Sequence, residues 1–403
     1  MAEKRRVLLG VSGGIAAYKA AEVASTLTKK GHPVRVLMTK NARQFVGPLT
    51  FAALTGFPVS LDEALFDPGQ ESAIGHIELA RWADLIVLAP ATANLIAKAA
   101  LGLADDFLST TLLASDAPLL IAPAMNPHMF AHPAVGENLA RLTARGASVI
   151  GPGLGPTACG EEGRGRMAEP AQIVEAALGL LGPRDLAGAR VLISAGPTRE
   201  HLDPVRFLSN PSTGRMGLEV ARAALRRGAA VTVVLGPCQL PRPDGARIID
   251  VVSAEQMAQA VLGEAPGHDV IIKSAAVSDY RPLECHAHKV KKGELPEELC
   301  RLAGTVDILA ELGRRKSGQI LVGFAAETQD LLANGREKLR RKNLDLLLAN
   351  DVSAKDAGFA VSTNRAHLLH ADGQVESLPL MSKEDMAHRL LDSVADLWRR
   401  GAA

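Results

Sequence analysis

One pattern constrains this chain more than any other, because it occurs twice. Near the amino terminus, VLLGVSGGIAAYKAAEVASTLTKKGHPVRVLMT reads as strand, glycine-rich turn, helix and strand. Ala20, Val23, Ala24 and Leu27 fall on one helical stripe, Gly31 stops the helix, and Val34–Met38 resumes an extended pattern. The second half repeats the scheme. Val191-Leu192-Ile193 leads into a Gly/Pro turn and a polar loop, LEVARAALRR reads as a helix, Gly228 ends it, and Val231–Leu235 follows. Strand–helix–strand crossovers pair their strands in parallel. The chain is therefore expected to be α/β, with two domains whose sheets are mainly parallel. Aromatic residues are only 3% of the chain, so the core is aliphatic, as suits sheets buried on both faces. The segment LGPRDLAGA separates the halves and predicts domains at 1–185 and 186–403.

Ligands of open parallel sheets bind beyond the carboxyl ends of the strands. Further strands are expected at Leu85–Ala89, Leu119–Ala122 and Ser148–Ile150. That brings Gly10–Gly14, Thr39-Lys40, Ala89–Asn94 and Pro123–Asn126 to one edge. In the second half, Ser194–Thr198, Gly236-Pro237, Ala275–Tyr280, Phe324–Glu327 and Asn350-Asp351 gather in the same way. GVSGGIAAYK is neither a GxGxxG fingerprint nor a P-loop. Its Ser12-Gly13-Gly14 turn nevertheless exposes backbone N–H groups at a helix start, which suits an anion. A mononucleotide such as a flavin fits at least as well as NAD. The polar stretch SAGPTREHLDPVRFLSNPSTGRMG, with Arg199, Arg206, Asn210, Ser212, Thr213, Gly214 and Arg215, reads as a long functional loop.

Composition removes other classes. Lys and Arg number 45 against 44 Asp and Glu, a net charge of +1, which indicates neither a nucleic-acid nor a membrane surface. The four cysteines show no CxxC spacing, so neither a disulfide framework nor a thiolate metal site is expected. The start of the chain passes from Lys4-Arg5-Arg6 straight into a strand-like segment, without a signal-peptide pattern, so a cytoplasmic setting is expected.

The motifs, taken in order, resemble a known family. SGGIAAYK, GHIELARWAD, LAPATANLIAK, PAMNPHM and ACGEEGRGRM, then SAGPTREHLDPVRFLSN, STGRMG, AAVSDYRP, HKVKK, VGFAAET and KNLDLLLANDVS, span nearly the whole chain. They are similar to the bacterial bifunctional family in which a phosphopantothenoylcysteine decarboxylase is joined to a phosphopantothenate–cysteine ligase of coenzyme A biosynthesis. The resemblance implies a flavodoxin-like FMN domain followed by a Rossmann-like, CTP-dependent domain. For the first half it implies oxidation of the substrate CH2–SH to a thioaldehyde by FMN. CO2 then leaves beta to C=S into an enethiolate, and the hydride returns. By this resemblance His76 handles a proton, Asn126 binds the substrate carboxylate and Cys159 reprotonates the enethiolate under a glycine-rich flap. FMN contacts are expected from Ser12, Gly13, Gly14, Ile15, Thr39, Phe45, Thr92, Asn94 and Ser109. Asp105-Asp106 stands where the family has Asn-Asp.

For the second half the resemblance implies an acyl-cytidylate made from 4'-phosphopantothenate and CTP, which cysteine's amine then attacks. Asn210 is expected to hold that intermediate, Arg206 to serve the second step and Lys289 to stabilise the transferring charge. Ala275, Asp279, Asp307, Phe324, Lys338 and Lys342 are expected around the nucleotide, with Mg2+ carried mainly by phosphate and water; its protein ligands are unknown. Thr305-Val306-Asp307 departs from the family's Asn-Pro-Asp and motivates a rival reading, a decarboxylase whose ligase half has lapsed. A flavin-binding scaffold is the non-enzymatic rival, opposed by His76, Asn126 and Cys159 together. The family resemblance also implies trimeric decarboxylase units grouped into a dodecamer, with dimeric ligase domains.

Overall fold

The computed structural model describes residues 5–63, 75–156, 160–291, 301–327, 330–351, 361 and 363–402. The chain divides into two compact units, Met1–Pro183 and Arg184–Ala403.

The first unit runs β1 (Val7–Val11), α1 (Ala17–Lys29), β2 (Val34–Met38), α2 (Pro48–Thr55), β3 (Ser60–Leu61), α3 (Gly75–Trp82), β4 (Leu85–Ala91) and α4 (Ala93–Leu101). It continues through α5 (Phe107–Leu113), β5 (Leu119–Pro123), α6 (Pro127–Ala131), α7 (Pro133–Ala144), β6 (Ser148–Val149), β7 (Gly153–Pro156), β8 (Glu162–Arg166) and α8 (Pro170–Leu181). Six strands form one parallel sheet in the order β3-β2-β1-β4-β5-β6. With the two-residue edge strand β3 set aside, the others follow the flavodoxin-like order 2-1-3-4-5 by appearance, and the winding reverses between β1 and β4. Every residue of β1 is buried, as expected for a strand covered by helices on both faces. The predicted stripe of α1 is the face that packs: Ala20, Val23, Ala24 and Leu27 are fully buried. β4 runs past the predicted end at Ala89 to Ala91, with an irregular register between Leu88 and Ala91.

The second unit runs β9 (Arg190–Ala195), β10 (Arg199–His201), β11 (Phe207–Ser209), α9 (Arg215–Arg226), β12 (Ala230–Leu235), β13 (Arg247–Asp250), α10 (Ala254–Glu264), β14 (Val270–Lys273) and β15 (Tyr280–Pro282). Then come β16 (Leu302–Gly304), α11 (Ile308–Arg315), β17 (Ile320–Glu327), α12 (Leu331–Arg341), β18 (Leu346–Asp351), β19 (Thr363–His370), β20 (Val375–Ser382) and α13 (Lys383–Ala402). Its eight-stranded sheet has the order β13-β12-β9-β14-β17-β18-β19-β20. The first six are parallel in Rossmann-like order, with the winding reversed between β9 and β14. β19 and β20 extend the sheet antiparallel. The stretch expected as a long loop contains an antiparallel hairpin of β10 and β11. Its first turn requires glycine across the sheet edge: a Cβ on Gly236 would lie 1.9 Å from the Pro197 carbonyl oxygen. Arg227, nearly fully buried, ties the start of the unit to α13 by ion pairs to Asp185 at 2.6 Å and Asp392 at 2.9 Å.

Candidate functional sites at the two sheet edges

Each crossover helix runs antiparallel to the strands, so helix amino termini collect at the carboxyl edge of a sheet. In the first unit that edge receives the starts of α1, α3, α4 and α6, and with them most of the expected residues. Ser12 fastens the β1 and β4 turns together: its Oγ donates to Pro90 O at 2.7 Å and accepts from Thr92 N at 3.0 Å. Its backbone N–H also donates to Pro90 O. Ser12 is thus buried with its polar groups committed. The N–H groups of Gly13, Gly14 and Ile15 donate to nothing among the described residues and face the start of α1, a cradle that fits a phosphate. Thr92 caps α4, and Asn94 follows in its first turn. Thr39 donates its N–H to Val11 O at the mouth of β2. Asp62 accepts from both Lys40 N and Phe107 N, which brings the start of α5 to the same edge. There Ser109 has a committed hydroxyl, in a capping box with Asp106. Lys98 pairs with both Asp105 and Asp106, at 2.6 and 2.7 Å. Burial pushes the Asp106 carboxyl up; Lys98 and Ser109 outweigh it and hold the group below its ordinary value. Ile15 and Phe45 are 60% and 47% exposed at this edge.

His76 stands in the first turn of α3, half-buried, with no hydrogen bond among the described residues. Asn126 caps α6: its Oδ1 accepts from His128 N at 2.8 Å, and its Nδ2 donates to Glu161. Glu161 adjoins the β7–β8 hairpin, which lies on the Met125–Pro127 turn through the Met125 N to Gly165 O bond at 3.0 Å. The glycines of EGRGR make this approach possible, since a Cβ on Gly165 would meet Met125 O at 2.3 Å. Arg166 pairs with Glu169, which also holds Lys19 of α1. Cys159 lies outside the described residues.

In the second unit, Asn210 spans the switch point. Its Nδ2 donates to Ala276 O and Val277 O at 3.2 and 3.1 Å, pinning the end of the β10–β11 hairpin to the exit of β14 and leaving Oδ1 for a ligand. α9 begins at Gly214 without a side-chain cap. Arg206 is engaged elsewhere: Nε and Nη2 bind Asp203, and Nη2 also donates to Val290 O at 2.8 Å. Lys289, next to Val290, is exposed. Thr305 docks on the turn that carries Asp279, with its Oγ1 donating to Ser278 O and its N–H to Asp279 O. The departure from the family pattern thus supplies a hydroxyl bond to the expected nucleotide turn. Asp307 caps α11 and pairs with Lys342 at 2.7 Å. Burial pushes the Asp307 carboxyl up; Lys342 and the Ala310 N–H outweigh it and hold the group low. Lys338 donates to Phe324 O at 3.3 Å. The Phe324 ring packs on the other face of the sheet, in the core that includes α9 and α13, so its carbonyl and not its ring meets Lys338. Ala275 N donates to Ser194 Oγ, closing β9 against β14.

Two residues that the sequence motifs left unassigned belong here. Lys273 ends β14 beside Ala275, donating to its carbonyl at 3.2 Å. Burial first, then Lys338 and Lys342, push it down to about 8, against the pull of Asp307 and Asp279. A lysine closing the apolar run Val270-Ile271-Ile272 was the available signal. Asp203, fully buried, joins Arg206 to the basic segment, and nothing local in the sequence announces that. Of the remaining cysteines, Cys238 donates its thiol to Thr213 O, Cys285 is exposed, and Cys300 lies outside the described residues. Among the described residues no group of three or more His, Cys, Asp or Glu side chains is placed to hold a metal, and no helix is long and apolar enough to cross a membrane.

Comparison with known proteins covers both units. Residues 1–182 match the family model described as "Flavoprotein", and residues 186–397 match "DNA/pantothenate metabolism flavoprotein C-terminal domain". The chain is 50% identical over 403 residues to the coenzyme A biosynthesis bifunctional protein CoaBC of Bacillus subtilis (strain 168), covering 98% of each chain. It is 48% identical over 389 residues to the CoaBC protein of Vibrio cholerae, covering 96% of this chain and 97% of that one. Among solved structures it is similar to the C-terminal domain of a CoaBC protein, at 39% identity and a TM-score of 0.46, covering 54% of this chain and 99% of that one.

Proposed function

The chain belongs to the CoaBC family of bifunctional coenzyme A biosynthesis proteins, and from that premise we propose how its two units divide the work. The protein is a phosphopantothenate–cysteine ligase and a phosphopantothenoylcysteine decarboxylase, with FMN and CTP as its cofactor and co-substrate. In our reading residues 1–185 decarboxylate and residues 186–403 ligate. What carries this reading is that each unit gathers its own set of motif residues at its own switch point.

In the first unit, Gly13, Gly14 and Ile15 would hold the FMN phosphate with their unused N–H groups. Thr39, Phe45, Thr92, Asn94 and the Ser109 turn would surround the rest, and Ser12 would keep the cradle closed. When bound, FMN supplies a reversible hydride acceptor that lets the carboxylate depart beta to a C=S group. His76 takes the thiol proton at the start of α3. Asn126, with Oδ1 already committed, donates from Nδ2 to the substrate carboxylate. Glu161 offers that donor a carboxylate in the free protein, so it must give way on substrate binding. The amide holds the departing group without the grip of a salt bridge. Cys159 returns a proton after CO2 leaves.

In the second unit, Asn210 holds the acyl-cytidylate through Oδ1. Ala275, Asp279, Asp307, Phe324, Lys338 and Lys342 bound the nucleotide, and Lys289 compensates the charge on the transferring group. Mg2+ would be carried mainly by the triphosphate oxygens and water. We assign the protein to the cytoplasm and to an assembly of trimeric decarboxylase units in a dodecamer, with paired ligase domains. Ile15, Tyr18, Phe45 and Leu49, at 60, 59, 47 and 80% exposure, support association of the first unit around its flavin edge. Two single variants test the division of labour. With phosphopantothenoylcysteine supplied for the CO2 assay, H76N is expected to lose CO2 release while pyrophosphate release from CTP and 4'-phosphopantothenate persists, and K289Q the reverse. Loss of both products in either variant would overturn it.

A further inference from the structure

We propose that Asp203 is a positioning residue of the ligase, clasping Arg206 and the backbone of Val290 so that Lys289 stands in a defined place. The inference rests on the ligase reading of the second unit. Asp203 is fully buried, and its carboxylate is saturated with donors. Oδ1 accepts from Val205 N and Arg206 N, both at 2.8 Å. Oδ2 accepts from Arg206 Nε at 2.9 Å, from Arg206 Nη2 at 2.5 Å and from Val290 N at 3.3 Å. Arg206 Nη2 donates onward to Val290 O at 2.8 Å. Both backbone polar groups of Val290 are therefore held by one carboxylate–guanidinium pair, across 87 residues of sequence for the carboxylate. His286 N to Leu202 O, at 2.9 Å, adds a second tie between the same two segments.

Nothing else among the described residues fixes the basic segment near Lys289 so closely. Lys289 itself is exposed, and a long flexible ammonium side chain is useful at a reacting centre only if its backbone is held. The clasp does that. It also changes what Arg206 is for. With Nε and Nη2 committed to Asp203 and Val290, Arg206 serves the reaction through the position of its neighbour. Asp203 and Arg206 then form one device. Arg206, and secondarily the backbone N–H donors, hold the Asp203 carboxyl far below the ordinary carboxylate range, so the clasp stays charged at any working pH.

The test uses full-length protein with D203N, which keeps the size of the side chain, and R206K, which keeps the charge but lacks the forked donor. Wild-type protein must first release pyrophosphate from CTP and 4'-phosphopantothenate; if it does not, the ligase reading itself has failed. Hydrogen exchange of the peptide spanning 286–291 then reports the clasp directly. Both variants are expected to exchange there at least tenfold faster, and to lose at least tenfold in ligation kcat with a smaller change in KM for CTP. CO2 release from phosphopantothenoylcysteine should be unchanged. If D203N fails to fold its second unit, R206K alone must show this pattern. Wild-type ligation in the variants, or lost ligation with wild-type exchange at 286–291, overturns the proposal.

Discussion

Replacing Lys273 by methionine is expected to stabilise the second unit, by an amount set by pH. Lys273 ends β14, where burial together with Lys338 and Lys342 lowers its pKa from 10.5 to about 8. At about 1.4 kcal/mol per unit, that difference corresponds to about 3 kcal/mol. The sign follows from which state holds the proton. Below about pH 8 both states are protonated, and the folded state bears the whole cost of the buried charge. Between about 8 and 10.5 the folded chain has shed the proton while the unfolded chain keeps it, so the folded state gains with rising pH. Above both values the cost is gone. Methionine has similar length and no proton. K273M should therefore be more stable than wild type by about 3 kcal/mol at pH 7, with the advantage fading through pH 8 to 10.5. A difference in packing would add a part that does not vary with pH. Urea unfolding in a W82F background, which leaves Trp398 of α13 as the one tryptophan, follows the second unit alone. An advantage that is the same at pH 7 and pH 10, or a loss at pH 7, would refute the reasoning.

Three further perturbations follow from the same structure. G165A places a methyl group 2.3 Å from Met125 O, so the β7–β8 hairpin must lift; CO2 release should fall at least tenfold, with ligation from CTP unchanged. R227M removes the buried guanidinium between Asp185 and Asp392, which keep Arg399 and Arg389 as partners, and should cost the second unit about 1–3 kcal/mol, read as a lower Tm by calorimetry. S12A removes the hydroxyl's two bonds between the β1 and β4 turns, worth about 1–3 kcal/mol, while the backbone bond to Pro90 O stays, and a fluorescence titration should show weaker FMN binding, by about tenfold. Unchanged FMN affinity in S12A would mean that the cradle needs no such fastening.

The architecture was legible where periodicity was strong. The stripe of Ala20, Val23, Ala24 and Leu27, and the glycines after each first helix, specify βαβ units whose strands can pair only in parallel. Topology then delivers Asn210 and Ala275 to one edge, and Gly13, Thr92 and Asn126 to the other. β19 and β20 went unread, although Asp372-Gly373 between two alternating segments is a hairpin signal. The hairpin of β10 and β11 was hidden because each strand has only three residues, rich in charge. Side-chain commitments were not legible at all. That Ser12 and Ser109 spend their hydroxyls on the scaffold, that Glu161 meets Asn126, and that the Phe324 ring turns away from the lysines depend on partners distant in sequence. Thr305 is the instructive case. As a motif it was a departure, whereas in the fold its hydroxyl and N–H secure the Asp279 turn.

The most direct test of the central claim is a paired assay on purified full-length protein. It would supply 4'-phosphopantothenate, cysteine, Mg2+ and CTP, with ATP in a parallel reaction, and follow pyrophosphate and CO2 separately. Two competent units predict pyrophosphate with CTP and an equal yield of CO2. CO2 from added phosphopantothenoylcysteine without any pyrophosphate from CTP would contradict the account, and would leave a decarboxylase whose second unit does not ligate.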